Sequence, residues 1–181
     1  RVKNAVKKVD ITKHKIIIMN YYYGEELGLT DRDGIANFVA SAPLKVVADR
    51  SIIPVYTIAR LNGKYVSYYY LPVNNKIRGF KQIASPYRGN GQDGLGDVIS
   101  YANEGDVLDN GKTVQENMCF FGIAKTQYWT PQAENLFKDC IDFVAVECSS
   151  NAECDDDNSN TQDICINPGQ RDSDCKHIPI T

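Results

Sequence analysis

Long apolar runs are missing from this 181-residue chain. The longest, Ile16 to Tyr23, is already broken by Asn20. A bilayer-spanning helix needs roughly 20 apolar residues, so no stretch reads as one. A surplus of basic charge is missing too. Twenty Lys and Arg stand against 23 Asp and Glu, a net charge of −3, which disfavours a general nucleic-acid binder. No G-x-x-x-x-G-K-[ST] is present, so no P-loop is expected, and no H-E-x-x-H is present to hold a catalytic zinc. There is no N-x-[ST], so N-glycosylation is not expected. A signal-peptide pattern is also absent, and the chain begins at Arg1 rather than Met. The expectation is a processed chain or an excised fragment. With 43% hydrophobic and 24% charged residues, the composition argues against wholesale disorder. The length allows one ordinary domain, or one domain with a small module.

Cysteine, by contrast, is plentiful: Cys119, Cys140, Cys148, Cys154, Cys165 and Cys175. The last four fall in the final 34 residues with spacing C-x5-C-x10-C-x9-C. Almost no large apolar side chains lie between them. A segment that cannot bury a core needs staples, and outside the cell these are disulfides. A zinc site is the rival reading. It favours close pairs such as C-x2-C, and there are none. Four cysteines allow three connectivities, and spacing does not choose among them. The expectation adopted is Cys148–Cys165 with Cys154–Cys175. Cys119 lies in the apolar run 117–124 and Cys140 on the apolar face of the helix expected after it. Those two either bridge strand to helix or remain buried free thiols.

Residues 1–14 are basic and read as a short helix or a solvated arm. A β-rich run covers 15–23. Thr30 or Asp31 is placed to cap a helix over 31–42, with Ile35, Phe38 and Val39 on one face. Strands are expected at 44–48, 52–59, 65–73, 78–84 and 97–101, with turns at Asn62-Gly63, Asn74-Asn75 and Asn110-Gly111. The strand 117–124 is followed by Thr130 as a helix N-cap and Pro131 at the first helical position. Ala133, Leu136, Phe137, Cys140, Ile141 and Val144 then form one apolar stripe. At Cys148 the composition changes to Ser, Asn, Asp and Cys. These signals predict a strand-rich α/β domain over 1–147 and a small, loop-dominated, disulfide-rich module over 148–181.

Between Cys154 and Cys165 the chain reads DDDNSNTQDI. Asp155, Asp157, Ser159, Thr161 and Asp163 put an oxygen on every second residue. Calcium accepts six to eight oxygens with loose geometry, so these five are the candidate calcium ligands. The loop is not an EF-hand, having no Gly at position 6 and no Glu at position 12. The bland reading is a solvated acidic turn between disulfides. A second loop, 88–96 (RGNGQDGLG), matches most of one calcium-binding nonapeptide repeat. It is a single copy and reads better as a glycine-rich surface loop.

Two stretches resemble known families. Glu153-Cys154-Asp155-Asp156-Asp157-Asn158, with Thr161, Asp163 and Cys165, resembles the Cys-Asp-Asp-Gly-Asn-x-Cys-Thr-x-Asp-x-Cys repeats of secreted and surface proteins. Cys175-Lys176-His177 with Pro179 is similar to the end of such a repeat. Asp157 stands where those repeats carry Gly, and Asn160 where a Cys is often found. The resemblance implies an extracellular, ion-stabilised module. Further upstream, residues 118–144 are similar to the last strand and helix of class I glutamine amidotransferase-like domains. The features shared are Phe120-Phe121-Gly122, the Thr130-capped helix, Leu136-Phe137 and the late aromatic Phe143. Ile11-Thr12 with His14 is a fainter likeness to the His-Pro-Ile-Thr segment of those domains. That resemblance implies a flavodoxin-like sheet, with a mixed sheet as the other form of the α/β expectation. It also implies a Cys nucleophile on a tight elbow, but no G-x-C-x-G is present and Cys119 is followed by two bulky phenylalanines. The expected domain is therefore catalytically degenerate.

Eleven tyrosines include two triplets, Tyr21–Tyr23 and Tyr68–Tyr70. In a strand, a triplet sets aromatics on both faces. Either the strand is buried on both sides, or Tyr21, Tyr23, Tyr68 and Tyr70 meet another subunit. Charge also separates along the chain. Residues 1–20 hold six Lys/Arg against Asp10 alone, and residues 148–181 hold seven Asp/Glu against two Lys/Arg. Opposite ends of opposite sign favour head-to-tail contacts, which make filaments when they do not close. The alternative is intrachain docking of the arm on the tail. The sequence thus predicts an extracellular or cell-surface structural protein, self-associating and stabilised by disulfides and calcium. A hydrolase or amidotransferase-like enzyme, or a carbohydrate-binding module, are the alternatives. Carboxylate pairs such as Glu25-Glu26 read as solvated turns.

Overall fold

Four consecutive residues, Met118 to Phe121, are fully buried, and the rest of the fold is arranged around the strand they form. The structure is a computed structural model that describes residues 10–19, 27, 29, 36–39, 42–72, 79–87, 89, 95–108, 111–170 and 173–180. Its strands are β1 (Ile16–Ile18), β2 (Ala36–Val39), β3 (Leu44–Val46), β4 (Ile52–Ile53), β5 (Arg60–Leu61), β6 (Lys64–Tyr65), β7 (Ser67–Pro72), β8 (Lys81–Pro86), β9 (Gly96–Asp97), β10 (Ile99–Ala102), β11 (Met118–Phe121), β12 (Thr161–Ile166) and β13 (Asp174–Pro179). One α-helix of the described residues, α1, spans Pro131–Ala145. No helix among them is long and apolar enough to cross a membrane.

The main sheet has six strands in the order β1-β11-β10-β8-β3-β4. It is mixed: β1 runs parallel to β11, and the remaining pairs are antiparallel. Side chains alternate across β11 with period two. Cys119 and Phe121 join the cluster that includes Ala133, Cys140 and Val144 of α1. Met118 and Phe120 join Ile11, Ile18, Leu71 and Phe80 on the opposite face. A strand buried on both faces must be apolar throughout, which is why this run reads MCFF.

Helix α1 starts where the sequence signals it. Thr130 Oγ1 accepts from the Ala133 amide at 3.2 Å and donates to the Pro54 carbonyl at 2.8 Å. One hydroxyl therefore caps the helix and anchors it to the segment after β4. Phe121, Trp129 and Phe137 pack as an aromatic trio with centroids 5.0–5.4 Å apart. The Cys119–Cys140 disulfide joins β11 to α1, with Cα atoms 6.0 Å apart.

A second sheet, β2-β7-β9, meets the first at Gly122. The Gly122 amide donates to the Val98 carbonyl at 2.8 Å, and its own carbonyl accepts from the Tyr69 amide at 2.9 Å. A Cβ at Gly122 would overlap the Tyr69 carbonyl. Glycine is thus required by the close approach of two backbones. Asn62 and Gly63, both at positive φ, close the β5–β6 hairpin, as an Asn-Gly pair is expected to.

The helix expected over 31–42 is a correction. Residues 36–39 form β2, paired antiparallel with the tyrosine strand β7, and residues 31–35, 40 and 41 lie outside the described residues. A twelve-residue amphipathic helix is marginal by itself, and antiparallel pairing with β7 satisfies the backbone of residues 36–39 instead. The interface expectation is corrected at Tyr68, which is fully buried in the chain's own core. The reason is the pleat: Tyr68 belongs to the buried cluster that also holds Leu44, Val98 and Phe121, and Tyr70, two residues on, is half-buried against the same cluster. Tyr21 and Tyr23 lie outside the described residues, as do the basic arm 1–9 and most of the 88–96 loop.

Candidate metal centre

The chain after α1 has a different construction. Its one buried hydrophobic cluster among the described residues is Cys148, Cys154 and Cys165, with Cys175 packed alongside. These are bonded as Cys148–Cys165 and Cys154–Cys175, with Cα separations of 5.9 and 5.4 Å. Every cysteine of the chain is paired. The sulfurs of Cys148, Cys154 and Cys165 lie close enough to suggest a metal cluster. Metal ligation needs thiolates, however, and disulfide sulfur is not one.

Polar side chains complete the frame. Ser173 Oγ accepts from the amides of Glu147 and Cys148, at 2.6 and 3.2 Å. Asn151 Oδ1 accepts from the Cys165 amide at 2.9 Å. The hairpin β12–β13 then pairs Asp163 with His177 and Cys165 with Cys175 across the strands. Opposed residues share a face, so the Asp163–His177 pair lies on the disulfide side.

The acidic loop folds through consecutive side-chain-to-backbone turns. Asp155 Oδ1 accepts from the Asp157 amide at 2.9 Å, Asp156 Oδ1 from Asn158 at 3.0 Å, and Asn158 Oδ1 from Asn160 at 3.1 Å. Asp157 sits at φ +59°, the left-handed region where glycine is at ease and aspartate is tolerated. It is also the position at which the resembled repeats carry glycine. Thr161 Oγ1 donates within this turn, reaching Asp156 Oδ1 at 3.0 Å and the Asn158 carbonyl at 2.8 Å.

All five sequence candidates, Asp155, Asp157, Ser159, Thr161 and Asp163, line one open depression of about 540 Å³ with Asn151, Ala152 and Asn158. Two further residues were not among those candidates. His177 Nδ1 lies 2.8 Å from Asp163 Oδ1 and 3.5 Å from Asp156 Oδ2. A signal existed for His177 alone. With Cys165 opposite Cys175, Asp163, two residues before the one, falls opposite His177, two residues after the other. Nothing in the spacing marked Asp156. The hydrogen bond with Asp163 holds the His177 pKa above its usual 6.5, helped by the charges of Asp156 and Asp163 and opposed by slight desolvation.

Oxygen donors on one depression suit a hard cation, and the donor set fits calcium in kind. The imidazole does not, because calcium takes oxygens. A protonated His177 occupies the carboxylates a cation would use, so proton and cation compete at Asp163 and Asp156.

A larger open groove, of about 940 Å³, separates the second half of α1 from the C-terminal region. Its charges are mixed, Lys138 against Glu104, Asp142 and Glu153, and it includes neither His14 nor Cys119. His14 is exposed just after the first described turn. The sulfur of Cys119 is committed to Cys140. Compared with family models, curated proteins and solved structures, the chain finds no match.

Proposed function

We propose that the chain is an extracellular or cell-surface structural protein that self-associates into an array or filament and is stabilised by disulfides and calcium. One observation carries the reading. The C-terminal region folds around bonded cysteines rather than an apolar core, and it presents seven oxygen-bearing side chains, the five candidates with Asn151 and Asn158, on a single depression. Bridges of this kind persist in oxidising surroundings, and calcium there is abundant enough for weak oxygen sites. The boundary near residue 147 belongs to the same reading, supported by the end of α1 at Ala145 and the change in what fills the interior. The flavodoxin-like form of the main domain has narrower support, the parallel pair β1–β11 with α1 laid on one face.

Thermal melts with calcium and with EDTA test the cation. A ligand bound only by the folded state stabilises by about 2.7 kcal/mol at a hundredfold excess over Kd. The midpoint of the C-terminal region, followed by hydrogen exchange in β12–β13, is expected to rise with calcium above pH 7. It is expected to rise less near pH 5.5, where His177 is protonated. Identical melts with calcium and EDTA at both pH values would remove calcium from the proposal.

A further inference from the structure

Four sulfurs converge inside the C-terminal region. The Sγ atoms of Cys148, Cys154 and Cys165 lie within 4.8 Å of one another, and the fourth, that of Cys175, is bonded to Cys154. Two bridges that only limit the unfolded chain work equally well far apart, so nothing in that role brings them together. Zinc held by four thiolates has Zn–S distances of about 2.3 Å, which sets neighbouring sulfurs about 3.8 Å apart. The unbonded sulfurs are already near that spacing. A bonded pair, about 2 Å apart, reaches it by opening about 2 Å more. In sequence these cysteines lack the close pair that zinc sites favour, but the fold supplies one: Cys165 and Cys175 are directly opposed across β12–β13.

Contacts other than the bridges also place these residues. The Cys148 amide donates to Ser173 Oγ, and its carbonyl accepts from the Gly169 amide at 2.9 Å. The Cys165 amide donates to Asn151 Oδ1, and Cys154 ends the short 3-10 turn that Asn151 begins. The geometry points to a second folded state of this region, in which both bridges are reduced and Cys148, Cys154, Cys165 and Cys175 hold one zinc ion as a tetrathiolate. Two dithiol reductants each deliver two electrons and two protons. They open Cys148–Cys165 and Cys154–Cys175 to four thiols and are themselves oxidised to disulfides. Zinc then displaces the four thiol protons, leaving a zinc tetrathiolate and four protons in solution. The metal takes over from the bridges as the interior of a segment that has no apolar core. Thiolates are soft donors and select zinc over calcium, so this site is distinct from the acidic depression. Cys119 and Cys140 take no part, being buried in the core of the main domain. The inference goes beyond the structural reading above and needs neither calcium nor self-association.

The full chain, reduced by a phosphine without oxygen and freed of excess reductant, tests it. Zinc uptake, the spectrum with cobalt as a stand-in ion, and hydrogen exchange in β12–β13 are the readouts. The reduced chain is expected to take up one zinc and to show the intense thiolate-to-cobalt absorption of a tetrahedral site. Zinc is also expected to restore the hairpin protection that reduction removes. Cys165→Ser is expected to lose that restoration, whereas Cys119→Ala with Cys140→Ala keeps it. Reduced wild type decides the matter without any variant having to fold. If it takes up no zinc, or takes it up without regaining protection in β12–β13, the inference is overturned. A weak octahedral cobalt spectrum, equal zinc uptake by the oxidised chain, or a Cys165→Ser chain that responds to zinc as wild type does would each place the ion elsewhere and overturn it as well.

Discussion

β11 and β13 are both strands beside a disulfide, yet they are held by different physics. Every residue of β11 is fully buried, and its disulfide partner lies on a helix that already packs against it. In β13, residues 176–179 are exposed, and the buried cluster beside it among the described residues is made of cysteines. The main sheet gains stability in the native state, by taking apolar surface from water. The hairpin is stabilised largely through the unfolded state, by bridges that limit the disorder the chain can regain. The same bond is therefore reinforcement in one place and a precondition in the other.

The largest test of this contrast is Phe121→Ala. Truncating a fully buried phenylalanine costs about 3–5 kcal/mol, and denaturant midpoints should show it as lost protection throughout the sheet and α1. The amides of β12–β13 should keep theirs, and a parallel loss there would mean that the two regions fold as one unit. Next comes Cys148→Ser with Cys165→Ser. That bridge closes a loop of sequence separation 17, worth about 3 kcal/mol. Hydrogen exchange should find the hairpin opened while β11 stays protected. Asp157→Gly should be milder. It relieves a left-handed aspartate, a gain of under about 1 kcal/mol, but it removes one carboxylate from the depression. Stability without cation should rise and calcium affinity should fall, read by melts and by titration calorimetry.

The smallest effect is the proton on His177. Its folded-state pKa lies above 6.5, so the stabilisation from the Asp163 bond is complete below that value and fades as pH climbs through the raised one. Without added cation, hairpin exchange should accelerate over that interval in wild type and stay flat in His177→Gln. An NMR titration placing the His177 midpoint at or below 6.5 would contradict the Asp163 pairing.

Local, periodic features of this fold were legible in the residues. Thr130 with Pro131 and the stripe through Val144 announce α1, and Asn62-Gly63 announces a hairpin. The pairing of the last four cysteines was not: spacing leaves three connectivities open, and the one adopted agrees with the bonds Cys148–Cys165 and Cys154–Cys175 without having been derived. Nor were long-range features. The segment around Phe38 has helical spacing, but its fate depends on Tyr68–Tyr70, some thirty residues away. Tyr68 looked available to a partner because a sequence does not show how a pleat is covered. At the acidic loop, period-two spacing found five residues lining the depression but missed Asp156, whose carboxylate turns back to Thr161 and His177.

The two C-terminal bridges interlace, since Cys148–Cys165 and Cys154–Cys175 cross in sequence order. A backbone cut between Cys148 and Cys154, or between Cys165 and Cys175, leaves a single covalent link across it. A cut between Cys154 and Cys165 is spanned by both. The stretch 155–160, exposed throughout and so open to a protease, thus lies where a nick frees no fragment and leaves two tethers intact.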